Sequence, residues 1–300
     1  MQLNQSKDPL HLIDFKKLAR ALTLVENDLP GSSEILKQLQ PSDTPVIGIT
    51  GPPGAGKSTL VNAMINQLSA AGKSIAVLAI DPTSPFNLGS LLGDRIRMAE
   101  QFNKPNVYIR SLATRGSLGG LSGKAIEMTD VLKSVGFDYI LIETVGVGQS
   151  EVEIAGLADI SLVVLVPESG DEIQNLKSGL MEIADIFVVN KADREGADTF
   201  ANNLKKLVHN RPISIPVIKT VAHRSVGIDE LMKAINDHPF KENKHRSFLL
   251  TEKALKLIQH MRMKDIDKKQ LHQDITKVSE GPDFNLYRFI DEIIKKSKNS

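Results

Sequence analysis

An α/β fold with a mostly parallel central sheet flanked by helices is predicted by three observations. From Pro45 to about Pro239, short Val/Ile/Leu-rich runs alternate with helical stretches, several of the runs being nearly continuous in aliphatic residues. That is the pattern of strands buried on both faces. Residues 51–58 read Gly-Pro-Pro-Gly-Ala-Gly-Lys-Ser, a glycine-rich loop set between the apolar run Val46-Ile47-Gly48-Ile49 and a helical stretch from Thr59 to Leu68. A later apolar run ends directly in Asn190-Lys191-Ala192-Asp193.

Taken in order, residues 8–43 read as helical, with Phe15, Leu18, Ala19, Leu22 and Val25 at helical spacing until Leu29-Pro30-Gly31 breaks the pattern. Ser32 or Ser33 is placed to cap a second short helix carrying Ile35, Leu36 and Leu39. Strands are predicted at 46–50, 75–80, 106–110, 139–144, 161–166, 185–189 and 215–219. After Lys241 the chain is helical again, with apolar stripes at Leu250, Ala254, Leu257, Ile258 and Met261, then Leu271, Ile275 and Val278, then Leu286, Phe289, Ile290 and Ile293. The expected organisation is an N-terminal helical extension over 1–43, a central domain over 44–240 and a C-terminal helical arm over 241–300.

Composition narrows the class. The 300 residues are 41% hydrophobic and carry a net charge of +1, so a sizeable core is expected and a nucleic-acid footprint is not. The amino terminus has no apolar segment of secretory type, and no apolar stretch approaches membrane-spanning length. There is no cysteine, and the seven histidines are scattered. Disulfides and thiolate metal sites are thereby excluded, and a cytoplasmic protein is the expectation.

Residues 51–58 fill every position of the G-x-x-x-x-G-K-[ST] phosphate loop, in the strand–loop–helix setting the motif requires. Its backbone N–H groups can cradle phosphate oxygens, aided by the positive end of the following helix. Pro53, Gly54, Ala55, Gly56, Lys57, Ser58 and Thr59 are therefore candidate nucleotide ligands. Lys57 is placed for the β- and γ-phosphates and the Ser58 hydroxyl for Mg²⁺. The base is read from N-K-x-D: the Asp193 carboxylate can accept from guanine N1–H and the exocyclic amine, an arrangement adenine lacks. Asn190 is placed to bind the base edge, with the Lys191 stem over the ring.

Three further segments bear on Mg²⁺ and the γ-phosphate. Asp81 ends a clean strand, at the crevice where open α/β sheets bind ligands. Asp94, in Gly93-Asp94-Arg95-Ile96-Arg97-Met98, is read either as a magnesium ligand on a switch or as a helix cap. Glu143 also ends a strand and leads into Thr144-Val145-Gly146, where ordinary GTPases have Asp-x-x-Gly. It holds the metal shell or positions the attacking water, and Gly146 offers an N–H to the γ-phosphate. Lys57, Asp94 and Glu143 are the candidate catalytic residues, and Ser58, Asp81, Asp94 and Glu143 the candidate metal ligands. Gln149 is read equally as a water-positioning residue or a solvated one. The acidic stretch Pro167-Glu168-Ser169-Gly170-Asp171-Glu172 reads as a surface loop opening a helix over 172–182. Val221-Ala222-His223 stands where GTPases place Ser-Ala-Lys. The Ala222 N–H is placed for the guanine O6, while Val221 lacks the serine hydroxyl that supports the loop.

With these motifs in hand, the chain resembles the GTPase chaperones of adenosylcobalamin-dependent acyl-CoA mutases, the methylmalonic aciduria type A and ArgK-like P-loop GTPases. The resemblance is carried by residues 20–26, Gly51 to Thr59, 79–85, 92–98 and 115–120, and most specifically by Glu143-Thr144-Val145-Gly146-Val147-Gly148-Gln149-Ser150-Glu151. It implies a G domain with N- and C-terminal helical extensions, Mg²⁺ with GTP or GDP as the bound species, and GTP hydrolysis. It also implies homodimerisation through the C-terminal arm and a client mutase, methylmalonyl-CoA mutase being the best-known one. The acidic loop becomes a partner-sensing switch, with Gly170, Asp171 and Lys177 as its key residues. Arg95, Arg97 and Arg115 are candidates for an arginine that assists hydrolysis in cis. Two rival readings are a kinase associated with arginine/ornithine transport and a nickel metallochaperone GTPase; the absence of Cys and of a His cluster argues against the second. No cobalamin-binding Asp-x-His-x-x-Gly motif occurs, which fits a chaperone rather than a carrier.

Overall fold

The computed structural model describes residues 14–81, 99–113, 123–144, 154–169, 178–209, 215–238, 246–281 and 283–298. Among the described residues, seven strands form one sheet: β1 (Val46–Thr50), β2 (Ile75–Asp81), β3 (Val107–Ala113), β4 (Tyr139–Thr144), β5 (Ile160–Leu165), β6 (Ile186–Val189) and β7 (Val217–Lys219). Their order is β3-β2-β4-β1-β5-β6-β7 and every pairing is parallel, as predicted. Parallel neighbours need crossovers, so helices cover both faces and leave β1 in the middle of the sheet.

The near-continuous aliphatic runs follow from that burial. Along β1, β2 and β4, Ile47, Ile49, Ile75, Val77 and Leu141 enter one core together with helix α3 (Lys57–Ala70). Val46, Ala76, Leu78, Ile140 and Ile142 enter the opposite core. Each strand alternates faces, yet neither face meets water, so the period-2 polarity of a half-exposed strand is absent.

Helix α1 (Phe15–Glu26) belongs to that second core: Leu18, Leu22 and Val25 are buried, and Phe15 lies 5.3 Å from the Tyr108 ring and 6.4 Å from that of Phe137. Asp14 caps it by accepting from Lys16 N and Lys17 N, and the Lys17 N–H leads in holding its carboxyl below the usual range. The short α2 (Ser32–Lys37) corrects the expected cap. Gly31, at φ 93°, occupies the cap position with no side-chain hydrogen bond, and Ser32 is buried inside the first turn. β3 runs beyond the predicted end at residue 110 because seven residues of β2 pair with it, from Ile75↔Val107 to Asp81↔Ala113. Arg110, which interrupts the aliphatic run, is accommodated by an ion pair to Glu26 of α1.

The lower ends of the strands are clamped by aspartates one residue before three of them. Asp138, before β4, accepts from Ser74 N at 2.8 Å; Asp159, before β5, from Val46 N at 2.9 Å; Asp185, before β6, from Ser161 N at 2.7 Å. Each carboxylate thus satisfies an N–H at the start of a neighbouring strand. Burial acts to raise the Asp138 pKa, but the hydrogen bonds from Ser74 and Lys73 outweigh it and hold the group below its ordinary value.

The other helices among the described residues are α4 (Gly123–Val135), α5 (Ser178–Ile183), α6 (Ala197–His209), α7 (Ile228–Asn236), α8 (Arg246–Arg262), α9 (Lys268–Val278) and α10 (Leu286–Lys298). The chain divides into two compact units, Met1–Ala254 and Leu255–Ser300. Within the second, none of the α9 residues is buried, and Leu286, Ile290 and Ile294 are exposed at four-residue intervals along α10. Among the described residues, no helix is long and apolar enough to cross a membrane.

Candidate nucleotide site

The glycine-rich loop joins the central strand β1 to α3, at the carboxyl edge of the sheet. Gly51 has φ 138°, and a Cβ there would lie 2.1 Å from the Val164 carbonyl oxygen. Gly56 has φ 86°, and a Cβ would lie 2.5 Å from Asn190 Nδ2. Both positions need the left-handed region and the space that glycine alone leaves. Ala55 is buried within the loop, while Pro53, Gly54 and Thr59 are exposed. Lys57 is buried, and its ammonium donates to the carbonyls of Gly51 at 2.8 Å and Pro52 at 3.0 Å. The lysine is thereby folded along the loop that it serves.

Ser58 and Glu143 meet. The Ser58 hydroxyl donates to Glu143 Oε1 at 2.6 Å, and both residues are buried. A hydroxyl and a carboxylate are hard oxygen donors suited to magnesium, so this pair fits the ion that the phosphate loop implies. Asp81 ends β2 one residue beyond the Ile80↔Thr144 pairing, so its backbone lies at the same edge as Glu143; its side chain lies outside the described residues. Asp94, Gly146, Gln149, Gly170, Asp171, Lys177, Arg95, Arg97 and Arg115 also lie outside them.

At the other end of the site, the Asn190 carboxamide is engaged within the protein. Its Nδ2 donates to the Ala55 carbonyl at 2.9 Å and reaches that of Gly56 at 3.5 Å. Its Oδ1 accepts from Thr220 Oγ1 at 3.1 Å and from Ala222 N at 3.2 Å. Asn190 is thus a brace that ties the phosphate loop to the loop after β7, with most of its hydrogen-bonding capacity used within the protein. Ala222 N–H is accordingly turned toward Asn190. Lys191, at φ 55°, donates from Nζ to the Gly54 carbonyl at 2.7 Å and lies against the phosphate loop. The Asp193 carboxylate is partly exposed, 3.9 Å from the Arg224 guanidinium. Val221 is buried and bridges Val226, whereas His223 is exposed. The hydroxyl that Val221 lacks is supplied one residue earlier by Thr220, which is fully buried. Sequence reasoning missed this, although Lys219-Thr220-Val221-Ala222 displays the hydroxyl beside the expected place.

The acidic stretch begins with a 3-10 turn, Pro167–Ser169, and Glu168 pairs with Arg194, the residue after Asp193. The Arg194 hydrogen bond holds the Glu168 carboxyl below its usual range. Of the helix expected over 172–182, the described part is α5.

Fold and site together define a P-loop GTPase of the G-domain class. The chain belongs to the family described as methylmalonyl Co-A mutase-associated GTPase MeaB, whose pattern matches residues 18–277. A GTPase of Pyrococcus abyssi is 48% identical over 258 residues, 82% of this chain and 78% of that one. The mouse mitochondrial methylmalonic aciduria type A homolog is 36% identical over 244 residues, 73% of this chain and 59% of that one. A solved structure described as a LAO/AO transport system kinase is 26% identical, with a TM-score of 0.65, covering 95% of this chain and 94% of that one. Membership in this family carries GTP hydrolysis, the binding of Mg–GTP and Mg–GDP typical of P-loop GTPases, and, in general terms, the chaperone character of MeaB-type proteins.

Proposed function

We propose that this chain uses its nucleotide state to gate cobalamin loading and protection of an adenosylcobalamin-dependent acyl-CoA mutase, methylmalonyl-CoA mutase being the foremost candidate. The observation that carries this reading is the family match over residues 18–277, joined to a site in which the phosphate loop, Glu143 and the guanine loop are held together by side chains. Bound Mg²⁺ would neutralise charge at the β- and γ-phosphates. Ser58 and Glu143 would hold it, with Asp81 and Asp94 as further candidates from sequence. Lys57 brings its ammonium to the same phosphates, and Asp193 selects guanine. Loss of the γ-phosphate removes the charge that orders neighbouring loops, so residues 82–98, 144–151 and 167–177 are the proposed readout, with Gly170, Asp171 and Lys177 as the proposed partner-sensing residues. The protein can thereby alter a binding surface without touching cobalamin itself.

The test is adenosylcobalamin transfer into purified mutase in the presence of GTP, GDP or a non-hydrolysable GTP analogue. Different extents of loading and of protection in the three states are expected; identical extents would refute the gate. Radiolabelled γ-phosphate followed in the same reactions separates the kinase reading that the solved relative's description suggests. Free phosphate is expected, and label retained on a protein acceptor would favour phosphotransfer.

A homodimer built on the C-terminal arm is the second part of the proposal. Its support is the exposed α10 row of Leu286, Ile290 and Ile294, each more than two-fifths accessible. Light scattering of the full chain is expected to give a dimer, and Ile290→Asp with Ile294→Asp a monomer. A double variant that stays dimeric would place the interface elsewhere.

A further inference from the structure

The parallel ladder between β1 and β4 ends at the pair Ile49↔Glu143. One residue further, Thr50 and Thr144 are joined through their side chains: the Thr144 hydroxyl reaches Thr50 Oγ1 at 3.0 Å and the Ile49 carbonyl at 3.5 Å. Both residues are completely buried. A hydroxyl is costly in such a place unless it is bonded, and valine would fill the same volume without that cost. The polar pair therefore stands where an apolar one would serve the core alone. Its position is also particular. Gly51, which opens the phosphate loop, follows Thr50 directly, and Thr144 directly follows Glu143. Across the same edge, Glu143 accepts from Ser58 at 2.6 Å.

We propose that the Thr50–Thr144 hydroxyl pair is a positioning device for the magnesium side of the site. Where the two strands part into loops, the bond holds the root of the phosphate loop at a set distance from the strand that carries Glu143. It thereby keeps Glu143 aligned with Ser58. Neither threonine needs to touch the nucleotide; both act through the carboxylate and the serine. The proposal rests on the reading of Ser58 and Glu143 as the magnesium pair.

The experiment measures release of a fluorescent GDP analogue from the full-length protein across a Mg²⁺ titration and in EDTA, with thermal unfolding of the nucleotide-free protein alongside. Thr144→Val keeps the methyl packing and removes the hydroxyl. It is expected to raise the Mg²⁺ concentration needed to slow release by about tenfold, the lower end of what loss of a supporting contact behind a metal ligand costs. Release in EDTA should be unchanged. Thr144→Ser keeps the hydroxyl and removes a methyl, so it should lower the unfolding temperature while leaving the Mg²⁺ requirement within about twofold of the parent. A merely structural threonine would show the reverse ordering, with Ser the more affected in both readouts. Glu143→Gln separates the two levels. A shifted Mg²⁺ requirement in Glu143→Gln with none in Thr144→Val overturns the hydroxyl pair alone. An unchanged requirement in Glu143→Gln overturns the magnesium reading, and this proposal with it.

Discussion

Lys57→Ala is expected to lower GTP turnover by about 10²–10³-fold, the scale on which loss of one preorganised electrostatic contact to developing charge reduces kcat. Phosphoryl transfer asks little covalent chemistry of the protein and depends on positioning and charge, so removing the loop's ammonium strikes its main contribution. The structure adds a second consequence. Because Lys57 also donates to the Gly51 and Pro52 carbonyls, the alanine variant loses two bonds that shape the loop, each worth about 1 kcal/mol. A modest fall in thermal stability should accompany the loss of activity. Single-turnover phosphate release at saturating GTP is the measurement, and a variant that hydrolyses at the parental rate would refute the role assigned to the loop.

Asp193→Asn is expected to change which base is bound. On the proposed reading the carboxylate accepts from two donors of guanine, and charge-assisted bonds of this kind together justify a loss of about 3 kcal/mol, more than 100-fold in affinity, for GTP and GDP alike. The carboxamide presents a donor where guanine also presents one, and xanthine supplies the acceptor that restores the pairing. Asp193 is suited to such a test because the Arg224 guanidinium lies 3.9 Å from it and both side chains are partly exposed. The pair therefore contributes little to folding, and substitution should leave the fold intact. Titrations with GDP and xanthosine diphosphate should show opposite changes in affinity; unchanged GDP binding would remove Asp193 from base recognition.

What depends on neighbours along the chain is readable from the residues alone. Burial on both faces is written into continuous aliphatic runs, so all seven strands were legible, with ends displaced by at most three residues. The largest displacement, at β3, arose because Arg110 breaks the apolar run, and only the packing of α1 shows that its charge is answered by Glu26. The phosphate loop and N-K-x-D were likewise legible, since a glycine-dependent turn and a short motif directly after a strand are local features. Tertiary structure alone decided how these pieces touch. Ser58 reaches Glu143 across 85 residues, and Asn190 reaches Ala55 across 135. Periodicity carries no information about such contacts, because strands that are apolar on both faces hold no pattern that marks which strand they pair with or in which register. For the same reason the brace that Asn190 forms is invisible along the chain, Thr220 supplies the hydroxyl that Val221 lacks, and Thr50 and Thr144 look like ordinary strand residues until the sheet sets their hydroxyls 3.0 Å apart.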